Sequence, residues 1–406
     1  MKFAKRLSRT VCCLALLHLA TSHADVVTDW NIKANDFVAA AKISPLAANR
    51  TMAIVNVAVF DAVNSISGRY PKSGRLDANA AADTSVDAAV AAATRGTLSK
   101  VLPQVQKDVD AAYAAALANV ADGAAKTAGI ALGEKAAAAI LAMCANDGAM
   151  APDTYVPATT PGVYVLTGTP AAPHWGRRKP WVMTSGDQFR PAAPPALGSD
   201  MWARDYNEVK TLGGKNSTQR TAAQTDIARF WEATGTSLYY PLARTVALQS
   251  GRDVTQNARL MAVVGMAMDD AVIAVFEAKY VYNFWRPVTA IRNGDKDGNN
   301  ATDVDTAWSP FIDTPPHPEY PCGHCIVASA LATVLQAEMG SLTALNFSST
   351  SPTLPGATRR WTNLAAFAQE VQDARVYDGV HYRNSVEVAA SMGRKVGELA
   401  AARWLR

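Results

Sequence analysis

Alanine-rich stretches with Leu, Val and Ile spaced three and four apart run from about residue 35 to 149, and β-branched alternation is nearly absent anywhere in the chain. That periodicity places apolar side chains on one stripe of a helix and cannot supply the two faces of a sheet. "SVDAAVAAATRGTLSKVL" and "AKTAGIALGEKAAAAILAM" are strong helix patterns, and Asp147-Gly148 closes this first helical run. The expected fold class is all-α, built of packed helical bundles.

Residues 151–200 break the pattern with Pro, Gly and five aromatic residues. A segment this long without helical periodicity reads as an ordered loop, and a lid is one role for it. Helices resume near Asp200 and continue to about Trp285. "RLMAVVGMAMDDAVIAVFEAKYVYNFW" is the longest apolar stretch beyond the N-terminal segment. Asp269, Asp270, Glu277 and Lys279 interrupt it, so it reads as a buried bundle helix and not a membrane span. The loop "NGDKDGNNATD" places Asn293, Asp295, Asp297 and Gly298 in the register of a calcium loop, but Val304 stands where a bidentate Glu is needed. A turn-rich loop is the preferred reading. Further helices are expected from the Cys-Gly-His-Cys motif to Met339 with Gly340 as its stop, from Trp361 to Asp373, and from Asn384 to Trp404, the last with Glu387 in a capping box.

The N-terminus carries Lys2, Lys5, Arg6 and Arg9, then an apolar run to Ala20 and a small-x-small site at Ser22-His23-Ala24. This is the pattern of a cleaved secretory leader over residues 1–24, followed by a single helical domain over 25–406 whose site-carrying part is 200–406. Export to a periplasm or the extracellular space follows. Four of the 39 basic residues belong to the leader, so the rest balance the 35 acidic ones. A neutral chain gives no reason to expect nucleic acid as a partner. Of the five cysteines, Cys144, Cys322 and Cys325 lie beyond the leader. Three cysteines in a chain of this size are not a disulfide scaffold.

Three segments hold the unusual polar residues. In "KYVYNFWRPVTAIR", Lys279 and Arg286 are seven apart, which would put both on one face of a helix that Pro287 stops at Arg286. In "HPEYPCGHCIVASA", Gly323 and His324 open an apolar helix, whose free N–H groups can bind an anion. In "ARVYDGVHYRNSVE", Arg375 and His381 flank a turn at Gly379. Three cations gathered without a counter-ion would repel by up to roughly 4 kcal/mol per pair at about 4 Å. A tetrahedral oxyanion such as phosphate or vanadate removes that repulsion. Read singly, Lys279 and Arg286 could instead pair with Glu277, Asp270 or Asp378.

Lys-x6-Arg-Pro, then Pro-x-Gly-His, then Arg-x3-Gly-x-His resembles the vanadium-dependent haloperoxidases and the related type 2 phosphatidic acid phosphatases. Ser385 stands where that pattern often has Asp. The resemblance implies that His381 is the vanadium ligand, or the phosphate-attacking nucleophile in a phosphatase, and that His324 is the general acid–base. It implies that Lys279, Arg286 and Arg375 hold the equatorial oxygens with the Gly323 N–H, and that Lys279 also polarises peroxide. His317 looks like the additional histidine of bromide-type members, a halide-site candidate. The preferred activity is halide oxidation by hydrogen peroxide on a His-bound vanadate. Hydrolysis of a soluble phosphate ester, which needs no cofactor, is the near alternative, and a phosphate-binding protein without turnover is the third. Asp269, Asp270, Glu277 and Asp378 are candidates for the carboxylate that orients His324. Bundles of this kind often dimerise, so a homodimer is a further expectation.

Cys322 takes the place of the Ser that family members usually have, and counts among the expected oxyanion contacts. A thiolate there would repel the anion and react with peroxide. Cys-Gly-His-Cys is also the tetrapeptide of disulfide isomerases, but that chemistry belongs to a strand-flanked context that this stretch lacks. A Cys322–Cys325 disulfide would remove the thiolate.

Overall fold

The computed structural model describes residues 25–340 and 345–405. The leader expected over 1–24 lies outside the described residues. The chain begins with α1 (Val26–Ala40), α2 (Pro45–Ser67), α3 (Val86–Val101), α4 (Gln106–Ala118) and α5 (Ala124–Cys144). After the 151–200 segment come α6 (Asp200–Leu212), α7 (Ala222–Phe230), α8 (Thr236–Ala247), α9 (Val254–Tyr282) and the short α10 (Pro287–Ile291). The C-terminal part holds α11 (Gly323–Met339), α12 (Leu364–Tyr377) and α13 (Arg383–Trp404). The all-α expectation holds. One small exception is a two-stranded antiparallel sheet, β1 (Phe347–Thr350) on β2 (Thr358–Trp361). "FSST" and "TRRW" are each too short to display period-two alternation, so no strand was expected there.

The 29-residue α9 is the axis of the bundle. Asp253 and Gln256 cap its start reciprocally, and α2, α11 and α13 pack around it. Leu260 to Phe276 are all buried, Asp269 and Asp270 included. Each large aliphatic side chain buried here contributes about 1.5–3 kcal/mol of transfer free energy. Helices α2 and α5 are long and apolar enough to cross a membrane by composition alone. α2 is enclosed by α3, α5 and α9, and α5 packs one face against α3.

α11 and α13 approach closely because glycine permits it. A Cβ on Gly393 would lie 2.3 Å from the Ile326 carbonyl oxygen, so any larger residue must push the two helices apart. The start of α13 differs from expectation. It begins at Arg383, and its N-cap Tyr382 makes no side-chain cap bond. The Asn384 N–H donates to Asp205 Oδ2 of α6 at 2.7 Å, so a distant carboxylate replaces the capping box.

The 151–200 segment is pinned as a strap along α9 rather than hinged as a lid. Asp270 accepts the N–H groups of Trp181, Val182 and Met183, and Asp269 pairs with Arg178 at 2.9 Å and takes the Trp181 indole N–H. Glu277 pairs with Arg190. These three carboxylates, candidates for orienting His324, are therefore spent on the strap. In the 293–304 loop, the Asp297 carboxylate accepts from the Trp202 indole, the Thr302 hydroxyl and the Asn299 N–H. That side chain is a turn clamp.

Candidate functional site: a buried histidine and arginine cup

Lys279, Arg286, His317, Glu319, His324, Arg375, Asp378 and His381 converge at one end of α9, α11 and α12. Lys279 and Arg286 do not share a helix face, contrary to the spacing argument. α9 ends at Tyr282 because Asn283 turns left-handed (φ 48°), and Phe284 bridges to Val163 of the strap. Arg286 sits beyond the helix as the N-cap of α10 and reaches back. Both side chains are fully buried. Lys279 Nζ donates to the carbonyls of Pro318 and Glu319 at 2.9 and 2.8 Å. Arg286 donates through Nε to His317 O at 2.9 Å, through Nη1 to Val380 O at 2.8 Å, and through Nη2 to His317 Nδ1 at 2.9 Å.

His381 is 1% exposed and held from both sides. Its Nε2 lies 3.4 Å from Arg286 Nη1, and its Nδ1 lies 2.7 Å from Glu319 Oε1. A guanidinium only donates, so Nε2 accepts and the ring proton resides on Nδ1, facing the carboxylate. Burial, with Arg286, Lys279 and Arg375 nearby, holds the ring far below the ordinary histidine range, so it is neutral.

Glu319 was missed in the sequence, and so was the full role of Asp378. Glu319 is wholly buried, and burial raises its carboxyl to about 7 against the pull of Lys279 and Arg286. Asp378 pairs with Arg375 at 2.7 Å and accepts the Val380 N–H, and burial raises it to about 6. The expected trio of cations without counter-ions is thus corrected: two carboxylates are folded in beside them. Asp378 serves Arg375 and not His324.

His324 opens α11, and Arg375 closes α12 with Nη1 donating to Trp231 O at 2.6 Å. His324 Nε2 and Arg375 Nε are buried without a partner. Gly323 has open space where a Cβ would project. Gly323, His324, Arg375, His317 and His381 all line one cavity of about 380 Å³. Unpartnered donors, an imidazole ring and the helix start at Gly323 fit a tetrahedral oxyanion, vanadate or phosphate, set against His381. The outer walls come from Leu46, Val272, Val275, Phe276, Ile312 and Val327. Leu46, with Ser44, Pro45, Asn49 and Ala171, lies outside the 200–406 part expected to carry the site.

Cys322 is not an oxyanion contact. It is fully buried, absent from the cavity wall, and joined to Cys325 by a disulfide, with its sulfur also accepting the Cys325 N–H. Cys144 is the one free cysteine among the described residues. Thiol titration of the denatured protein without its leader is expected to find one thiol before reduction and three after it. Three before reduction would contradict the pairing.

The acid–base groups set a pH dependence. As pH falls from 8 to 5.5, Glu319 and Asp378 take up protons. Both changes favour an anion. Sulfate, a tetrahedral dianion whose own charge is constant over this range, is expected to bind more tightly at pH 5.5, by roughly tenfold per pH unit for each proton taken up. Calorimetric titration giving equal affinity at both pH values would refute this.

Comparison with known proteins agrees with this placement. Residues 259–406 match the family described as the VCPO second helical-bundle domain. The vanadium chloroperoxidase of Curvularia inaequalis is 28% identical over 39% of this chain, a match spanning 31% of that protein. Among solved structures, a bacterial vanadium-dependent iodoperoxidase superposes with a TM-score of 0.80 at 23% identity, covering 94% of this chain and 96% of its own. The holo form of a bacterial vanadium-dependent chloroperoxidase gives 0.69 at 19% identity, covering 90% and 93%. These likenesses establish the helical-bundle fold, and residues 279–381, which carry the cup, fall inside the matched domain.

Proposed function

We propose, for a chain whose residues 259–406 match the VCPO second helical-bundle domain and whose fold is like that of the vanadium haloperoxidases, that it oxidises halide with hydrogen peroxide at a His381-bound vanadate. The observation that carries this is His381 itself: a neutral imidazole, its Nδ1 on Glu319 and its Nε2 beside Arg286, that lines a cavity with unpartnered donors. Arg375 and the Gly323 N–H, both on the cavity wall, would hold the equatorial oxygens, while Arg286, which is not on that wall, would act through His317 and His381. Vanadate, when bound, supplies Lewis-acid activation of peroxide. His324 Nε2 sits on the cavity wall with no protein partner, free to take and return a proton during peroxide binding and release of water. Lys279 is not on the cavity wall; with Nζ on the Pro318 and Glu319 carbonyls, it would act by holding the backbone that carries Glu319. His317, its Nδ1 taken by Arg286 and its ring 5.2 Å from Phe276, offers the halide a mixed polar and aromatic wall.

The second reading, hydrolysis of a soluble phosphate ester through a phosphohistidine, uses the same Nε2 and the same donors, since trigonal-bipyramidal vanadate and the phosphoryl-transfer transition state share a shape. The apolar outer walls favour the first reading over a highly charged ester. The reading includes export, supported by the leader pattern and by a disulfide suited to an oxidising compartment. The deciding experiment adds orthovanadate, peroxide and bromide to the protein and follows bromination of a phenol dye, beside hydrolysis of an aryl phosphate. Vanadate-dependent bromination supports the proposal. Phosphatase activity blocked by vanadate, with no bromination, replaces it with the second reading. Neither activity, with phosphate still bound, leaves a binding protein.

A further inference from the structure

Glu319 comes from the loop before α11, two residues after His317 and five before His324, yet its carboxylate ends on His381, 62 residues later. One oxygen, Oε1, accepts both the His381 Nδ1–H at 2.7 Å and the Tyr382 N–H at 3.1 Å. The Tyr382 N–H belongs to the N-cap of α13 and does not move with the ring. It therefore fixes where Oε1 sits, and Oε1 fixes where Nδ1 points. The Glu319 carbonyl is in turn held by Lys279 Nζ. Ser385, in the first turn of α13, lies beside the same carboxylate and is also buried. It stands where the resembling families often carry Asp.

We propose that Glu319 is the positioning residue of His381: a carboxylate supplied from the α11 side that locks the imidazole as the Nδ1–H tautomer and aims the Nε2 lone pair into the cup. Ser385 leaves the room, and Glu319 reaches in from the opposite segment. Without a fixed acceptor at Nδ1, the ring proton can move to Nε2, where it would point at the anion's place and close the one atom that can bond to it. This rests on the reading of His381 as the ligating or attacking residue, but its first test does not depend on turnover.

The experiment uses the protein with ¹⁵N-labelled histidine. In the wild type and in Glu319→Gln, long-range ¹H–¹⁵N spectra are expected to show His381 as the Nδ1–H tautomer, because the Gln carbonyl oxygen stays pinned by the Tyr382 N–H. In Glu319→Ala the Nε2–H tautomer is expected to appear, with orthophosphate affinity measured by calorimetry falling at least tenfold. The double variant Glu319→Ala/Ser385→Asp is expected to restore the Nδ1–H tautomer and bring phosphate affinity back to within about threefold of wild type, because an Asp on α13 takes the vacated place. A residue that only supported the fold would not be replaced by a carboxylate from another helix. An unchanged tautomer in Glu319→Ala overturns the proposal. So does a double variant that folds but regains neither readout. Should Glu319→Ala not fold, Glu319→Gln decides: a shift to the Nε2–H tautomer there overturns it. A wild type that neither brominates nor hydrolyses, yet shows the Nδ1–H tautomer, would count against the proposed function and leave this inference standing.

Discussion

Replacing His381 by Ala is expected to abolish vanadate-dependent bromination, by about 10³-fold or more, because removing a group that bonds to the reacting centre costs far more than removing one donor around it. The same change should remove any phosphohistidine-based hydrolysis. It also strands Glu319, whose buried Oε1 loses its ring partner and keeps only the Tyr382 N–H. Its thermal midpoint should therefore be compared with that of Glu319→Gln, to separate loss of chemistry from loss of packing. Full bromination by a folded His381→Ala protein would remove the assignment of His381. An Arg375→Lys variant should be milder, since Lys retains charge but cannot reproduce both the Trp231 carbonyl contact and the Asp378 pairing.

Gly379→Ala is expected to destabilise the protein by roughly 3 kcal/mol or more, with loss of anion binding, through backbone alone. Gly379 lies at φ 84°, a conformation that L side chains rarely adopt, in the turn that carries the chain from Arg375 to His381. A Cβ there would meet the Gly213 carbonyl oxygen at 2.2 Å, at the end of α6. The neighbouring Asp378 carbonyl accepts the N–H groups of Phe311 and Ile312, the latter on the cavity wall. Relieving the clash must shift α6, the turn or the wall, and each of these shapes the cup. Unfolding midpoints and sulfate affinity both equal to wild type would refute this.

The three polar segments were legible because their residue types and spacings are tied to what an oxyanion needs: fixed cations, a glycine at a helix start and a nucleophilic ring. Helix α9 was legible because seventeen consecutive buried positions leave an apolar record too long to mistake. What stayed hidden was contributed by residues whose partners lie far along the chain. Glu319 sits in "HPEYP", where nothing local separates a buried carboxylate from an exposed one; only its 62-residue reach to His381 gives it meaning. The separation of Lys279 from Arg286 depends on Asn283, and an asparagine does not announce that it will turn left-handed. Asp269 and Asp270 read equally well as site acids or as anchors, and the strap that claims them could be recognised only in three dimensions. Cys322 was ambiguous for the opposite reason: its neighbourhood suited a thiolate, an oxyanion donor and a disulfide alike.

Because Glu319 and Asp378 sit among the cationic groups, the cup offsets its own positive charge and needs no bound anion to do so. If vanadate is the anion that this cup holds, loading would follow folding rather than drive it.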